Sequence, residues 1–255
     1  MTYCVDLLFF MWYNKIKSLI KKIGGFILEN YEVKRIHMSI AKDYIRKNHY
    51  THGSHNAPTL CYGLFDDSEL IGVLMFAQPC SENVRSSIWG SSVEDKNKVI
   101  ELHRLHIQDV TPKNTESWFI SKCMKLLSED KPEVKGVISF ADSTEGHEGV
   151  IYKATNFYYI GKTGTALFYR DETGRLRHPR QNSINISKEE ALARGWSLER
   201  RKAKNRYLYV LGSKFERRSL LKSCKYDVLH SWWCKECGTK NNFSEHICKK
   251  CACNF

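Results

Sequence analysis

The alternation of apolar and polar positions predicts a sheet whose strands are interleaved with helices. Strands are predicted at residues 32–38, 60–65, 70–78, 99–107, 137–141, 158–160 and 207–211. Helices are predicted at residues 39–48, 115–127, 147–155, 188–194 and 215–222, the first capped by Ser39. Residues 80–98 and most of 170–206 are predicted to be irregular. Because a strand hairpin comes first and strand–helix units follow, the fold class is a mixed α/β (α+β) sheet.

The chain has 255 residues, which suits one full-sized domain and a small appendage. We expect a leader at 1–31, a main domain at 32–228 and a C-terminal segment at 229–255. Residues 7–13 are apolar but too few to span a membrane, so no stable membrane association is expected. Residues 15–23 fit a short basic amphipathic helix that docks on the domain, or contacts DNA or a membrane surface. Met11 and Met38 are alternative starts.

Ten cysteines divide into a scattered group and a C-terminal cluster. The scattered spacing is typical of reduced thiols in a cytosolic protein. Two Cys-x-x-Cys pairs in the tail supply four thiolates at a spacing that closes a tetrahedral Zn²⁺ site. The predicted ligands are Cys234, Cys237, Cys248 and Cys251. Because so short a segment cannot fold by hydrophobic burial alone, the metal would supply its folding energy.

The tail also resembles the Ran-binding-protein type of zinc finger. Trp232 and Asn241 occupy the expected places around the four cysteines. Some such fingers stack aromatic rings on nucleic-acid bases, and others bind proteins. Trp232 and the neighbouring lysines suit stacking on bases with phosphate contacts, and a protein-docking module is an equal alternative. Gly238-Thr239 follows the second cysteine where Thr-Phe marks the ubiquitin-binding branch, so ubiquitin is not the expected partner.

Charge is concentrated before the tail. The chain has a net charge of +12, and residues 170–225 hold sixteen Lys and Arg against six Asp and Glu. Such an excess favours a polyanionic partner, most plainly nucleic acid; a solvated charged loop is the alternative. The residues predicted to bind nucleic acid are Arg175, Arg177, Arg180, Arg200, Arg201, Lys202, Lys204, Arg206 and Trp232.

Candidate chemistry lies in four polar stretches. His49-Tyr50 ends a predicted helix, Arg104 lies in a strand, and Asp142 follows a buried strand, with Tyr152 ten residues on. The fourth stretch opens a helix and contains Lys113, Asn114, Thr115 and Ser117. Each has an ordinary structural explanation as a cap or an ion pair. Together they predict a site, because ligands gather at strand ends and phosphates at helix N-termini.

The element order is that of the Gcn5-related N-acetyltransferase fold. More narrowly, residues 32–228 resemble the Mom family of bacteriophage DNA-modification proteins. The resemblance rests on His49-Tyr50, on ELHRLHI and PKNTESWF (101–107 and 112–119), and on FADSTEGHEGVIYKATNFYYIG (140–161). The basic stretch ending KNRYLYVLG (204–212) also fits. The leader and the tail lie outside the resemblance.

The resemblance implies an enzyme, a transferase that adds a carbamoylmethyl (acetamido) group to adenine N6 in double-stranded phage DNA. The product blocks restriction, and the enzyme works in the cytoplasm of an infected bacterial host. Carried over by position, the catalytic residues are His49, Tyr50, Arg104, Asp142 and Tyr152, with Ser117 near the donor. Asp142 can act as general base or orient the amine, and Tyr152 as general acid or stacking ring. His49 and Asp142 are also a partial iron site.

The donor stays open at this stage. The acetyltransferase fold binds the coenzyme A pyrophosphate with a glycine-rich loop, but residues 108–117 contain no glycine. Acyl-CoA is therefore one possible donor among activated donors, with Lys113, Asn114, Thr115 and Ser117 as the predicted donor-binding residues. Two alternative functions remain: an acyl-CoA-dependent N-acyltransferase acting on a protein or small-molecule amine, and a non-catalytic nucleic-acid-binding protein.

Overall fold

The structure, a computed structural model, describes residues 31–49, 58–79, 81–181, 184–228, 231–234, 236–242 and 247–253. The predicted leader helix, the start at Met11 and the predicted site residue Tyr50 lie outside the described residues. The side chains of Arg180 and Trp232 also lie outside them. No helix in the part of the chain that the structure describes is both long enough and apolar enough to cross a bilayer.

The helices are α1 (Met38–Asn48), α2 (Glu82–Ser86), α3 (Val93–Asn97), α4 (Thr115–Asp130), α5 (Val150–Ala154), α6 (Lys188–Ala193) and α7 (Lys214–Ser223). The strands of the main sheet are β1 (Tyr31–Arg35), β2 (Pro58–Asp66), β3 (Glu69–Ala77), β4 (Val99–Ile107), β5 (Gly136–Ala141) and β6 (Tyr158–Lys162). Further along lie β7 (Ala166–Arg170), β8 (Leu176–Arg177), β9 (Arg180–Gln181), β10 (Ile184–Asn185), β11 (Ser197–Arg201), β12 (Asn205–Val210), β13 (Ser231–Trp233) and β14 (Lys240–Asn242).

The chain forms two compact units. Among the described residues, the first consists of those up to Gln78 and of Leu102–Asp130, and the second of those in Pro79–Glu101 and from Lys131 onward. Strand β4 gives its first three residues to the second unit and the remainder to the first.

In the first unit, strands β1 and β2 pair antiparallel, as do β2 and β3. Helix α1 packs its apolar face on these strands, with Tyr44 and Ile45 against Val73 and Met75. The Tyr62 hydroxyl donates a 2.7 Å hydrogen bond to Asp130 at the end of α4. Because Tyr62 is fully buried, this bond satisfies a polar group that would otherwise destabilise the core.

In the second unit, β4 and β5 run parallel, and β12 pairs antiparallel with both β5 and β6. The core beneath them includes Val99, Ile138, Ile160 and Leu208. This combination of parallel and antiparallel pairs confirms the predicted mixed sheet. Strand β6 lies at the edge of the order β4-β5-β12-β6.

The start of the first helix corrects the predicted cap. Helix α1 begins at Met38, and His37 rather than Ser39 is its N-cap residue. The ring Nδ1 of His37 accepts a 3.3 Å hydrogen bond from the Ser39 backbone N–H. The His37 imidazole thus accepts a hydrogen bond from an N–H group that the helix itself leaves unpaired. The sequence predicts the Ser39 hydroxyl for this capping role.

Two stretches predicted to be irregular contain regular elements. Residues 81–98 contain α2 and α3. Within 170–206 lie β8 and β11, which both pair antiparallel with β7 in a three-stranded sheet. The predicted helix at 147–155 is shorter, because Gly149 adopts a left-handed conformation (φ 77°) and α5 begins only after it.

Candidate active site and candidate metal centre

Asp142 stands at the end of the buried strand β5, where the apolar run stops. The carboxylate accepts a 3.0 Å hydrogen bond from the Thr144 backbone N–H and caps the 3₁₀ turn Ser143–Glu145. The residue is only 8% exposed. Asp142 therefore does act as a helix cap, and this hydrogen bond holds its carboxylate in one orientation.

Two cations from the basic stretch reach the same carboxylate. Lys204 Nζ lies 3.0 Å and Arg201 Nη2 3.2 Å from Asp142 Oδ2. Burial raises the pKa of Asp142, but the hydrogen bond and charge of Lys204, together with Thr144 N–H and Arg201, outweigh it and lower the pKa below its usual value. Asp142 is therefore ionised at neutral pH, and a carboxylate of low pKa is a weak base.

Arg201 is shared among three carboxylates. Its guanidinium also lies 2.6 Å from Glu145 Oε1 and 3.5 Å from Glu199 Oε1. Because the N–H groups of Arg201 already bind acidic side chains, its role here is to hold Asp142 and Glu145 in place.

Tyr152 lies in a cluster of aromatic rings. Its ring centroid is 5.1 Å from Tyr207 and 5.2 Å from Phe157. The Tyr207 hydroxyl donates a 2.6 Å hydrogen bond to the Glu148 carbonyl, and burial, followed by the charges of Tyr152 and Glu148, raises the pKa of Tyr207 to about 12. Gly149 packs on the Tyr207 ring so closely that a Cβ would lie 2.4 Å from it.

A cleft of about 370 Å³ opens beside the turn that Asp142 caps. It is lined by Ser143, Gly146, Glu148, Lys162, Lys202, Asn205 and Glu236. Asn205 is buried, and its carboxamide accepts a 3.3 Å hydrogen bond from the Tyr159 hydroxyl and donates a 3.4 Å bond to Ser143 Oγ. The cleft thus presents two lysines, two glutamates and an oriented amide, a lining suited to a polar ligand.

His49, in the first unit, is buried and ends α1 with a 2.9 Å backbone hydrogen bond to Ile45. Its ring centroid lies 6.4 Å from that of His106. His106 Nδ1 lies 3.3 Å from the Tyr44 hydroxyl, and burial lowers the pKa of His106 against the opposing charge of Asp109. The sequence analysis did not single out Tyr44 or His106, although His106 lies two residues beyond Arg104 and therefore on the same face of β4.

Arg104 and the start of α4 also belong to the first unit. Arg104 Nη1 donates a 2.8 Å hydrogen bond to the His103 carbonyl. Asn114 has a positive φ of 72° and so makes the left-handed turn that glycine usually makes. The Thr115 and Ser117 hydroxyls donate to the carbonyls of Pro112 and Asn114 at 2.7 and 2.9 Å. These bonds shape the helix start at which a donor phosphate was expected.

The predicted site residues therefore divide between the two units. The first unit holds His49, Arg104, Lys113, Asn114, Thr115 and Ser117. The second holds Asp142 and Tyr152, the basic residues and the four cysteines. Joint action of His49 with Asp142 stays a prediction.

The predicted nucleic-acid-binding residues fall into two groups. Arg175, Arg200 and Lys202 are exposed. Four others make internal contacts: Arg177 Nε pairs with Asp171 at 2.7 Å, Lys204 and Arg201 with Asp142, and Arg206 with the Tyr226 hydroxyl at 2.9 Å. The side chains of Arg180 and Trp232 lie outside the described residues. The exposed group is the one available to phosphates.

The four tail cysteines form a candidate metal centre. The sulfur atoms of Cys234, Cys237, Cys248 and Cys251 all lie within 4.8 Å of one another. Two of the Sγ–Sγ distances are 3.4 and 3.5 Å, close to the roughly 3.8 Å expected for four thiolates about 2.3 Å from one zinc ion. Burial raises the pKa of Cys248, but the backbone N–H groups of Cys251 and Lys250 outweigh it and lower the pKa to about 6.

Asn241 joins the two cysteine pairs. It is almost fully buried, donates a 3.0 Å hydrogen bond to the Thr239 carbonyl and accepts one of 3.0 Å from the Lys249 N–H. Thr239 O in turn accepts from the Cys234 N–H at 2.8 Å. The Asn241 side chain is thus hydrogen-bonded to the backbone near both cysteine pairs and holds the two pairs together, as residues around the ligands do in metal sites.

Comparisons with known proteins place this chain among relatives. The model of the Mom protein family matches residues 30–227. The methylcarbamoylase mom of Escherichia phage Mu is 31% identical over 150 residues, which cover 59% of this chain and 61% of that relative's length. Among solved structures, Arabidopsis thaliana NAA60 in complex with acetyl-CoA aligns at 11% identity and a TM-score of 0.43, covering 71% of this chain and 99% of that one. The ribosomal-protein-S5-alanine acetyltransferase of Vibrio fischeri aligns at 10% identity and 0.42, covering 72% and 95%.

Proposed function

This chain belongs to the Mom protein family, and from that membership we propose that it is a transferase that modifies adenine at N6 in double-stranded DNA. The added group is carbamoylmethyl, and the modification protects phage DNA from restriction in the cytoplasm of an infected bacterial host. The match across the main domain carries the proposal. The mom protein of phage Mu, named a methylcarbamoylase, supports the type of group transferred.

The chemistry is a substitution at the carbon of an activated donor. The adenine N6 lone pair forms the N–C bond while the bond from that carbon to the leaving group breaks. The amine then carries an extra proton and is strongly acidic, so even a carboxylate of low pKa accepts that proton. Asp142 suits this late proton transfer better than removal of a proton from the neutral amine. Tyr152, with its ring among Tyr207 and Phe157, is proposed as the general acid or as a ring beside the base.

Two metals enter the proposal differently. The four cysteines fit zinc, which when bound supplies the folding energy of a ribbon that has little core of its own. Elsewhere among the described residues, no group of three or more His, Cys, Asp or Glu side chains is placed to hold an ion. The pair His49 and Asp142 supplies two of the three ligands of an iron triad, and iron at that pair stays a prediction.

The donor is proposed to be an activated carrier with phosphate groups that bears its leaving group on the methylene carbon. An acyl-CoA reacts at its thioester carbonyl and would give an N6-acyl adenine, so it is the donor of the alternative N-acyltransferase. The residues proposed to hold it are Lys113, Asn114, Thr115 and Ser117 at the start of α4. Asn114 adopts the left-handed conformation there. It therefore makes the turn that a glycine would usually make, although this loop contains no glycine. The first N–H groups of a sixteen-residue helix favour phosphate.

Mass spectrometry of nucleosides from DNA co-expressed with the full chain tests the proposal. We expect a modified adenosine with the intact chain, none with Asp142→Asn, and an unchanged amount with Glu129→Gln, an exposed carboxylate variant on α4. Unmodified adenine with intact, folded chain across several hosts and donors contradicts the proposal. Transfer to protein or small-molecule amines would then indicate an N-acyltransferase, and DNA binding without transfer a non-catalytic binder.

A further inference from the structure

The cysteine ribbon lies against the edge of the main sheet of the second unit. Strand β13 of the ribbon packs beside β6, the last strand in the order β4-β5-β12-β6. Lys162, the final residue of β6, donates a 2.8 Å hydrogen bond from Nζ to the Glu236 carbonyl. A second tether joins Lys240 to Asp227 at 3.3 Å. The ribbon thus lies next to the edge strand of this sheet and is joined to it through Lys162.

The point of attachment lies inside the metal centre. Glu236 stands between Cys234 and Cys237, within the first cysteine knuckle. The same Glu236 and the same Lys162 line the cleft next to the turn capped by Asp142. The conformation of this knuckle depends on whether its two thiols share a metal ion. The position of one wall of the cleft therefore depends on the metal.

We infer that the ribbon builds one wall of a nucleotide site, and that the cleft binds one nucleotide unit of a DNA strand only when the ribbon holds its metal. This inference rests on the proposed function for the identity of the ligand. A volume of about 370 Å³ lies within the roughly 300–1,000 Å³ typical of small-ligand sites. Lys162 and Lys202 can contact the phosphate, and Glu148 and Glu236 of the same lining balance their charge and can accept hydrogen bonds from a base amine.

The hydrogen-bonding groups of the cleft suit the remainder of a nucleotide. Asn205 and Ser143 offer an amide and a hydroxyl already oriented by each other and by Tyr159; Asn and Ser side chains commonly read base edges. Gly146 has no atom within 4 Å of the position where its Cβ would stand, so the backbone there leaves open space. Arg200 is exposed and lies two residues before Lys202 in the chain. Its charge can therefore contact a further phosphate of the bound DNA strand.

Lys162 is proposed to couple metal binding at the cysteines to DNA binding in the cleft. A cycle that combines the Lys162→Met substitution with removal of zinc tests this. The probe is a fluorescent single-stranded oligonucleotide containing one adenine, titrated with the full chain in zinc-loaded and chelated forms. We expect chelation to weaken wild-type binding about tenfold, or about 1.4 kcal/mol. Zinc-loaded Lys162→Met should be weakened by a similar factor while keeping its zinc, and chelation should then weaken it by less than about twofold. Lys125→Met removes an exposed lysine from α4 of the first unit and should behave as wild type.

Other outcomes overturn the inference. If the effects of Lys162→Met and chelation multiply, the ribbon binds DNA independently of the cleft. If chelation leaves the affinity of the wild type unchanged, the ribbon has no part in this site. Failure of the proposed function is separate: unmodified adenine with intact metal-dependent binding removes only the reaction, whereas modified adenine with metal-independent binding removes only this inference.

Discussion

Lys204 Nζ lies 3.0 Å from Asp142 Oδ2, although the two residues are 62 positions apart in the sequence. Asp142 follows β5, Lys204 precedes β12, and these strands pair antiparallel with Ala141 opposite Asn205. The register of this pair places the end of the basic stretch on the carboxylate. Part of the positive charge that sequence reasoning assigned to DNA is thus used to hold a proposed catalytic group.

Replacement of Asp142 by Asn should lower the free energy of unfolding in a pH-dependent way. The folded-state pKa of Asp142 is lowered, so its charge stabilises the fold above the unfolded pKa of about 3.9, and this stabilisation is lost as pH falls through the folded value. We expect a difference of about 1 kcal/mol at pH 7, since the ion pairs are partly open to water. Urea unfolding of both proteins at pH 7 and pH 3 should show the difference shrink; a constant difference contradicts the role of the charge.

Two glycines of the same segment should respond differently to Ala. Gly149 and Gly146 both have positive φ, 77° and 76°, but only at Gly149 would a Cβ collide with the Tyr207 ring. Gly146→Ala should cost about 1 kcal/mol of stability from backbone strain alone, and Gly149→Ala about 2–4 kcal/mol because overpacking is added. Equal losses in chemical denaturation would argue against the close packing of Gly149 on Tyr207.

Cys251 and Cys253 provide a matched pair for the metal centre. Cys251 belongs to the four-sulfur group, whereas Cys253 lies outside it. The Cys253 backbone carbonyl accepts a 2.8 Å hydrogen bond from Cys248 N–H, and its thiol donates a long 3.8 Å bond to the Cys251 carbonyl. We expect Cys251→Ser to lower zinc affinity at least tenfold and Cys253→Ser to keep one zinc per chain. Metal analysis after dialysis against a competing chelator measures both. Equal zinc loss in the two variants would reject the predicted ligand set.

Asn114 should tolerate Gly better than Ala. At φ 72° glycine carries no steric cost, so Asn114→Gly should change the free energy of unfolding by less than about 0.5 kcal/mol. Asn114→Ala should lose about 1 kcal/mol, because an ordinary side chain is strained there. Thermal and urea unfolding distinguish the two. A more stable Ala variant would show that the loop has another conformation in solution.

Arg200 and Arg206 should separate DNA binding from folding. Arg200 is exposed, so Arg200→Ala should weaken DNA binding at every sequence and reduce the slope of log K against log salt by about 1. Arg206 holds Tyr226 OH and the Ile160 carbonyl at 2.9 and 3.1 Å, so Arg206→Ala should cost about 1–3 kcal/mol of stability instead. Filter binding over a salt series and urea unfolding test the pair. An unchanged slope for Arg200→Ala would place the DNA elsewhere.

Features with a local pattern could be predicted from the sequence. Strand β5 is a short apolar run that ends at Asp142, and the run itself marks both the strand and the carboxylate at its end. The cysteine pairs are equally local, because ligand spacing within a few residues restricts the geometry of a knuckle. The pairing of β7 with β11 could not be predicted in this way: the two strands pair across nearly thirty residues, and neither has an apolar alternation that indicates its partner.

From the sequence alone, most strands of the main sheet, the family resemblance and a candidate metal-ligand set followed, because each depends on neighbouring residues whose spacing determines their geometry. Only the tertiary structure brought Lys204 and Arg201 to Asp142, Tyr44 to His106, and Lys162 to the cysteine knuckle. Those contacts depend on strand register and on packing between distant segments. The free energy of such contacts is shared across the whole core, so no short stretch of sequence contains the information that specifies them.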